Sequence, residues 1–164
     1  MLVIGSPGAG KSTLATELAA RTGLPLVHLD QEYWRAGWVE PPADEWQAKV
    51  ETMIARPRWI MDGNYGGTLA LRLARADTVI YLDLPAWRCV ARVLRRIVGS
   101  WGRVRADMAP GCPEQFSWEF VTYTARFRRD KRAGVEAKIR SFNGPVIRLR
   151  SQSEIDAFLE GFER

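Results

Sequence analysis

The feature that most constrains this chain is a glycine-rich turn near its start. Residues 5–12, GSPGAGKS, fit the pattern G-x-x-x-x-G-K-[ST], with an apolar strand before them and a helical pattern after them. Glycine lets the backbone turn its N–H groups inward around phosphate oxygens, and the helix that follows directs its positive end to the same place. The alternative is a strand-to-helix turn that binds nothing. The flanking elements favour a phosphate-binding loop.

In this pattern the lysine bridges the β- and γ-phosphate oxygens and the hydroxyl that follows ligates Mg²⁺. We therefore expect Lys11 to act in catalysis and Ser12 to contact the metal. The expected cofactors are Mg²⁺ and ATP, with GTP equally compatible. The residues predicted to hold the nucleotide are Gly5, Ser6, Pro7, Gly8, Ala9, Gly10, Lys11, Ser12 and Thr13.

Short apolar runs alternate with longer periodic segments, which is typical of βαβ units around a parallel sheet. The predicted fold class is α/β: one three-layer α/β/α domain over residues 1–164, with a five-stranded parallel sheet. The predicted strands are Leu2–Ile4, Leu26–Leu29, Trp59–Met61, Val79–Leu82 and Val146–Leu149. The predicted helices are Lys11–Arg21, Ala43–Ala55, Thr68–Ala74, Ala86–Val98, Ser117–Arg140 in one or two pieces, and Ser153–Phe162.

Other sequence features narrow the class. No apolar stretch is long enough to span a bilayer, and Met1 leads directly into a strand pattern, so we expect a cytoplasmic protein without a membrane partner. The cysteines Cys89 and Cys112 have no metal-binding spacing, and one histidine cannot complete a zinc site with them. Both are interpreted as free thiols.

The positive charge is concentrated in one part of the chain. The whole sequence carries +5, but residues 88–132 contain ten arginines and one lysine against four carboxylates, a net charge of +7. A guanidinium fork suits bidentate contacts with phosphate better than a diffuse polyanion surface requires. We therefore expect this charge to serve a nucleotide, and a nucleic-acid partner is disfavoured.

Three further runs accompany the glycine-rich loop. They are HLDQEYWRAGW at 28–38, WIMDGNY at 59–65 and DMAPGCPE at 107–114. Together with the loop, and in this order, they resemble the topology-modulation protein (FlaR-like) family of adenylate-kinase-related P-loop proteins. The resemblance covers essentially the whole chain. It implies a P-loop NTPase fold of the nucleoside monophosphate and shikimate kinase type, and the use of ATP.

Two aspartates compete to support the magnesium ion. Asp62 follows one apolar run and Asp83 follows the next, and ligands of open α/β sheets bind beyond the carboxyl ends of the strands. We favour Asp62 because Gly63 and Asn64 open a loop there. By resemblance to shikimate- and gluconate-type kinases, Asp30 is the candidate acceptor ligand and general base. The alternative is that Asp30 only caps a helix starting near Gln31.

Aromatic residues are dense in the segment predicted to cover the acceptor side, at about 31–56. They either stack on a planar or sugar-like acceptor or form the core of a small helical cover. Asn64 and Tyr65 are expected to face the same space, whereas His28 is interpreted as a packed or locally bonded histidine. The aromatic residues in question are Tyr33, Trp34, Trp38 and Trp46.

A glycine-, proline- and arginine-rich segment without periodicity, Gly99–Pro113, predicts a mobile excursion and a lid at about 99–115. Arg92 and Arg96 share a helical face before it, where like charges repel unless an anion neutralises both. The family pattern adds Arg132 from the following helix. Arg92, Arg96 and Arg132 are the predicted catalytic arginines, with Arg105 behind them.

These expectations combine into a kinase that transfers a γ-phosphate to a small acceptor. Asn64-Tyr65 stands where nucleoside monophosphate kinases usually place an aromatic residue followed by Pro-Arg, so the arginine for an acceptor phosphate is missing. This shifts the expectation toward an acceptor without a phosphate. The alternative is a regulatory or nucleic-acid-associated ATPase. The sequence is compatible with a monomer or a homodimer.

Overall fold

Short strands alternate with helices along the chain, and the computed structural model describes residues 1–162. The strands are β1 (Leu2–Gly5), β2 (Leu26–His28), β3 (Ile60–Asp62), β4 (Val79–Leu82) and β5 (Val146–Leu149). The helices are α1 (Lys11–Thr22), α2 (Leu29–Tyr33), α3 (Ala43–Ile54), α4 (Leu69–Arg75), α5 (Ala86–Ser100), α6 (Trp118–Asp130), α7 (Arg132–Arg140) and α8 (Gln152–Glu160).

The strands form one parallel sheet in the order β2-β3-β1-β4-β5. Every residue of β1, β3 and β4 is buried, as expected for strands covered on both faces. β5 lies at an edge, and its first residue, Val146, is 37% exposed. The predicted five-stranded parallel sheet is confirmed.

Side chains that alternate along β1 lie in two different cores. Leu2 and Ile4 pack with apolar residues of α3, α4 and α7, whereas Val3 packs with residues of α1, α5 and α8. The sheet is therefore the middle layer of three. Among residues 1–162, no helix is both long enough and apolar enough to cross a bilayer.

The element boundaries differ from the predicted ones in two places that bear on the site. β3 runs to Asp62, one residue further than predicted, because Asp62 still pairs with Val3 of β1 and His28 of β2. β2 ends at His28, and the unpredicted α2 begins at once with Leu29. Asp30 therefore lies inside the first turn of α2, and the interpretation of Asp30 as an N-cap is wrong.

The long predicted helix at 117–140 is two helices. The break falls at Lys131, whose φ of −115° and ψ of −25° depart from regular helical values. The amide of Lys131 still closes α6 by donating to the Phe127 carbonyl at 2.8 Å. α6 packs along α5, and α7 packs near α4 on the other side of the sheet.

Candidate active site

The glycine-rich loop joins β1 to α1 and packs closely on the elements beneath it. Gly8 has a φ of +73°, and a Cβ at this position would lie 2.4 Å from the Cys89 carbonyl oxygen. Gly5 leaves as little room, because its Cβ would lie 2.4 Å from the Leu82 carbonyl oxygen. Only glycine fits both places. α1 begins without a side-chain cap, so the N–H groups of its first turn are directed at the loop.

Lys11 bends back over this loop. Its Nζ donates a hydrogen bond to the Ser6 carbonyl oxygen at 3.0 Å. Burial lowers the pKa of the Lys11 ammonium, and the carboxylates of Asp30 and Asp62 oppose that effect. Seven of the nine predicted nucleotide ligands, Pro7 to Thr13, line a cleft of about 1050 Å³, while Gly5 and Ser6 lie beneath it.

Asn64 connects the loop after β3 to the glycine-rich loop. Its side-chain amide donates to the Gly5 carbonyl oxygen at 2.7 Å, and its Oδ1 accepts from the Gly5 amide at 3.1 Å. The side chain thus satisfies both backbone polar groups of Gly5 at the end of β1. Asn64 lines the cleft, as predicted, and its side-chain contacts hold the glycine-rich loop in position.

Arg72 holds the loop after β3 in place through hydrogen bonds from its guanidinium. This arginine of α4 is fully buried and donates to the carbonyl oxygens of Gly63 at 3.0 Å and Tyr65 at 3.0 Å, and also to that of Asn64. Burial lowers the pKa of Arg72 to about 10, so it stays protonated at neutral pH. Sequence reasoning missed this residue, although an arginine between Leu69 and Leu73 on an apolar helical face was a usable signal.

The carboxylate of Asp62 lies at the carboxyl end of β3 and is 4% exposed. His28, opposite it at the end of β2, makes a 2.7 Å hydrogen bond from Nδ1 to Asp62 Oδ1. Burial alone would lower the pKa of His28, but the bond to Asp62 raises it above the ordinary value. The histidine is therefore locally bonded, in agreement with its interpretation from sequence, and it orients the carboxylate.

Asp62 and Ser12 line the same cleft as Lys11. One carboxylate and one hydroxyl fit Mg²⁺, which takes few protein oxygens and fills its octahedron with water and phosphate oxygens. The described residues contain no cluster of three His, Cys, Asp or Glu side chains that would hold a metal by protein ligands alone. The residues therefore suit a metal that arrives with a nucleotide.

Asp83, the alternative to Asp62, has other partners. Its carboxylate is 5% exposed and lies outside the residues that line the cleft. It accepts hydrogen bonds from Arg132 at 2.9 Å and Arg148 at 3.2 Å, and the Arg128 guanidinium lies 3.4 Å away. Asp83 joins β4 to β5, α6 and α7, and its surroundings favour Asp62 for the metal.

The predicted catalytic residue Arg132 is part of this same ion cluster. Besides Asp83, it contacts Glu136 one helical turn along α7 at 2.9 Å, and it does not line the cleft. Two carboxylates therefore hold its guanidinium away from the residues that line the cleft. This position does not favour the predicted catalytic role of Arg132.

Asp30 lies in the cleft facing the loop. Its Oδ1 accepts a hydrogen bond from the Tyr65 hydroxyl at 2.5 Å. Burial raises the pKa of Asp30, and the bond from Tyr65 and the charge of Lys11 reverse this only in part. The pKa of Tyr65 is raised as well, chiefly by burial, so the phenol acts as a neutral donor. A buried carboxylate with a raised pKa is suited to proton transfer.

Four aromatic side chains line the space beside Asp30, namely Tyr33, Trp34, Trp38 and Tyr65. Tyr33 is central, with ring centroids 5.1 Å from Trp34 and 4.6 Å from Tyr65. Trp46 is different, because it is 6% exposed and belongs to the core under α3. Trp46 therefore fits the interpretation as a core residue, whereas stacking of Tyr33, Trp34 and Trp38 on an acceptor stays a prediction.

The predicted lid follows α5 and packs on the acceptor-side cover. The Trp38 indole donates to the Pro113 carbonyl oxygen at 3.2 Å, and the Gly37 amide donates to that of Gly111 at 2.9 Å. Cys112 is 1% exposed, and its thiol lies 3.2 Å from the Arg35 carbonyl oxygen. Segments about 75 residues apart in sequence thereby form one wall of the cleft.

Three arginines reach the cleft from this side. Arg92 donates to the Ala9 carbonyl oxygen at 3.1 Å and to Gln152 Oε1 at 2.6 Å, and so connects the loop to α8. Arg96 and Arg105 each place Nε 2.9 Å from Oε2 of a single buried carboxylate, Glu114. Burial and the Arg105 charge lower the pKa of Arg96, and Glu114 opposes both. Sequence reasoning did not identify Glu114.

The chain matches no protein-family model and no curated protein. Its structure is similar to that of a candidate kinase from Chloroflexus aurantiacus J-10-fl, with a TM-score of 0.55 at 17% identity over 98% of this chain and 95% of that one. It is also similar to deoxyadenosine kinase from M. mycoides with bound dATP, with a TM-score of 0.52 at 13% identity over 99% and 98%.

At these identities the likeness concerns the fold. The chain has the α/β fold of P-loop kinases, with the five-stranded parallel sheet that the sequence predicted.

Proposed function

We propose that this protein is an ATP- or GTP-dependent phosphotransferase that phosphorylates a hydroxyl group of a small acceptor. One observation carries the proposal: the half-buried Asp30 carboxylate, which accepts a hydrogen bond from Tyr65 at 2.5 Å, lies in the same cleft as Lys11 and the glycine-rich loop. A loop that binds nucleotide for switching alone does not need a carboxylate base for an acceptor in the same cleft. Phosphoryl transfer needs one to orient or deprotonate the acceptor.

In the proposed reaction Asp30 takes the proton of the acceptor hydroxyl while that oxygen bonds to the γ-phosphorus. The bond from this phosphorus to the bridging oxygen breaks, and ADP or GDP leaves with the electron pair. Lys11, Arg96 and Arg105 offset the charge on the transferring group. Ser12 and Asp62 would hold Mg²⁺, which would supply positive charge to offset the charge of the phosphates.

Several features support an acceptor without a phosphate. The wall beside Asp30 is aromatic, and its other charged members include Glu40 and Asp107. Arg105, the cation on this side, is already paired with Asp107 at 3.0 Å and with Glu114. An acceptor phosphate would meet carboxylates and paired cations. A planar or sugar-like molecule would instead find rings to stack on and a carboxylate for its hydroxyl.

We also propose that this chain belongs to the topology-modulation protein family. The four runs that carry the resemblance all contribute residues to one cleft. Examples are Lys11, Asp30, Asp62 and Glu114. The segment 99–115 is proposed as the lid and 31–56 as the acceptor-side cover.

The test is a coupled assay for nucleoside diphosphate release with ATP or GTP and a panel of acceptors. Nucleosides come first in the panel, because a structural neighbour is a deoxyadenosine kinase. Sugars, hydroxy acids and nucleoside monophosphates follow. The proposal requires one unphosphorylated class to accelerate release well above the rate with water, and mass spectrometry must show the phosphorylated product.

Tight nucleotide binding without acceleration by any acceptor would favour the regulatory alternative. Release stimulated only by DNA or RNA would favour the nucleic-acid-associated ATPase. Acceleration by monophosphates alone would retain the kinase and contradict the proposed acceptor class.

A further inference from the structure

Helix α5 has a second apolar stripe that faces solvent. Its members are spaced alternately by four and three residues, the repeat of a helix–helix seam. The described neighbours do not cover it: Trp87 is 71% exposed, Leu94 40%, Val98 81% and Trp101, which caps the helix, 63%. The stripe consists of Trp87, Ala91, Leu94, Val98 and Trp101.

This stripe serves neither the core nor the cleft. The buried face of α5 consists of Cys89, Val93 and Ile97. Arg92 and Arg96, which reach the cleft, lie on a different face again. Folding of the monomer and the proposed chemistry therefore leave the stripe unexplained.

The apolar surface continues beyond the end of α5. Trp101 forms a bridge with Glu114, which brings Phe116 and Trp118 to the same end of the helix, with their rings 5.9 Å apart. Trp118 is 70% exposed and Phe116 is 47% exposed. With aromatic side chains presenting about 150–250 Å² each, the stripe and these two rings expose on the order of 600 Å² of apolar surface.

An exposed area of that size is at the upper limit for monomers and indicates an interface. Two copies would together bury on the order of 1,200 Å², the lower end of the range for specific interfaces. The surface is thus large enough for a pair of identical chains.

The order of side chains suits an antiparallel pair. Leu94 is the midpoint of the stripe, and in an antiparallel pair Trp87 would face the partner's Trp101 while Ala91 would face the partner's Val98. A two-fold interface uses one surface twice and must be complementary to itself in this way. We propose that two copies of this chain pair through α5, antiparallel, about a two-fold axis at Leu94.

Charges beside the stripe modulate the pairing. Arg88 and Arg95 flank it on one side, and the Arg88 guanidinium lies 5.9 Å from the Trp87 ring. About the proposed axis, Arg95 lies near the partner's Arg95, so salt should strengthen the association by screening two like charges. A membrane surface is the main other partner of an arginine-flanked apolar helix, and anionic lipid binding would instead weaken with salt.

The first test is sedimentation equilibrium of the full chain between about 1 and about 100 µM. The expected mass is that of two chains at the upper end, with tighter association at higher salt. Val98→Glu should weaken association more than about tenfold, because it buries an unpaired carboxylate in the seam. Val39→Glu is the matched control, since Val39 is 52% exposed elsewhere, and it should change nothing.

The second test fixes the orientation. Cys89 and Cys112 are buried, so a thiol introduced on α5 is the exposed one among residues 1–162. Leu94→Cys should cross-link to itself with a short bis-maleimide. Trp87→Cys should not, because the two thiols would lie about 20 Å apart, but it should cross-link to Trp101→Cys.

The proposal would be overturned if the wild-type chain had the mass of a monomer at every concentration. It would also be overturned if Val98→Glu associated as tightly as the wild type. Self-linking of Trp87→Cys would overturn it too, because this indicates a parallel pair, in which each position faces its own counterpart. A monomer that binds anionic vesicles would assign the stripe to a membrane surface instead.

Discussion

The two halves of the cleft are built in different ways. The half proposed to bind nucleotide is mostly backbone: residues 5–12 turn tightly between β1 and α1, with glycine where a Cβ has no room. The half proposed to bind the acceptor is mostly side chains, with Asp30 from α2, Tyr65 from the loop after β3 and Asp107 from the proposed lid. The first comes from one continuous segment and the second from three.

This difference follows from what each half would recognise. Phosphate oxygens are alike in every nucleotide, so inward-facing amides and a helix end suffice for them. An acceptor is distinguished by its own shape and hydrogen-bonding groups, which only particular side chains can match. A change in the first half should therefore abolish all turnover, whereas a change in the second should act on transfer alone.

The largest effect is expected from Lys11→Met. The fold should persist, because Lys11 Nζ makes its recorded hydrogen bond within the loop. Both phosphoryl transfer and background hydrolysis should fall by about 10⁴-fold, since the lysine charge that would stabilise the transferring phosphoryl group is lost. Nucleoside diphosphate release with and without acceptor measures this, and unchanged turnover would refute the nucleotide half of the site.

Asp30→Asn should reduce transfer by about 10³-fold and leave hydrolysis in water near the wild-type rate. The pH profile gives a second readout. Burial raises the pKa of Asp30, so the wild-type kcat/KM should be full at higher pH and fall with decreasing pH already above the ordinary aspartate range. The variant should lack this acid limb, and a limb that persists would assign it to another group.

Asp44→Asn, on the exposed start of α3, is the control for the Asp30 variant. It should alter neither the transfer rate nor the pH profile.

Arg72→Met should lower the free energy of unfolding by about 3 kcal/mol, because three carbonyl oxygens lose a charged donor in a buried place. Urea denaturation measures the loss. Arg75→Met, on the exposed side of the same helix, should cost under about 1 kcal/mol. Equal losses in both variants would mean that Arg72 does not support the loop shared by the two halves.

The smallest effect is expected from Glu114→Gln. The substitution keeps the shape but removes the anion that holds Arg96 and Arg105 together at 2.9 Å each. We expect kcat to fall about tenfold with little change in the acceptor KM, and Glu114→Asp to recover part of it. Glu51→Gln on exposed α3 is the control. A change confined to the acceptor KM would place Glu114 in acceptor binding instead.

Sequence reasoning was most successful where the structure depends on a local sequence pattern. The strands, the helices of the outer layers and the phosphate loop follow from apolar periodicity and glycine spacing, and the fold is confirmed. It was weakest for α2, which has five residues and no room for a period of its own. Asp30 lines the cleft, and its role there stays a prediction, but its position within α2 was not foreseen.

Two residues that sequence reasoning missed at the site, Glu114 and Gln152, have arginine partners that are distant in sequence. Arg92 and Gln152 are 60 positions apart, and Arg96 and Glu114 are 18 apart. Arg132 illustrates the same limit of sequence reasoning. No local pattern indicates that it lies beside Asp83, which is 49 positions earlier. Such pairs follow from the packing of α5, α6 and α7, which only the folded chain specifies.

The rate at which Cys112 is labelled would measure how often the proposed lid separates from the acceptor-side cover. The thiol is covered by the segment that contains Arg35, so a maleimide reaches it only when the two segments separate. Cys89 lies in the main core, and its slower labelling would time unfolding of the whole domain. The two natural cysteines would thus report on two events: Cys112 on the opening of the cleft wall, and Cys89 on the unfolding of the domain.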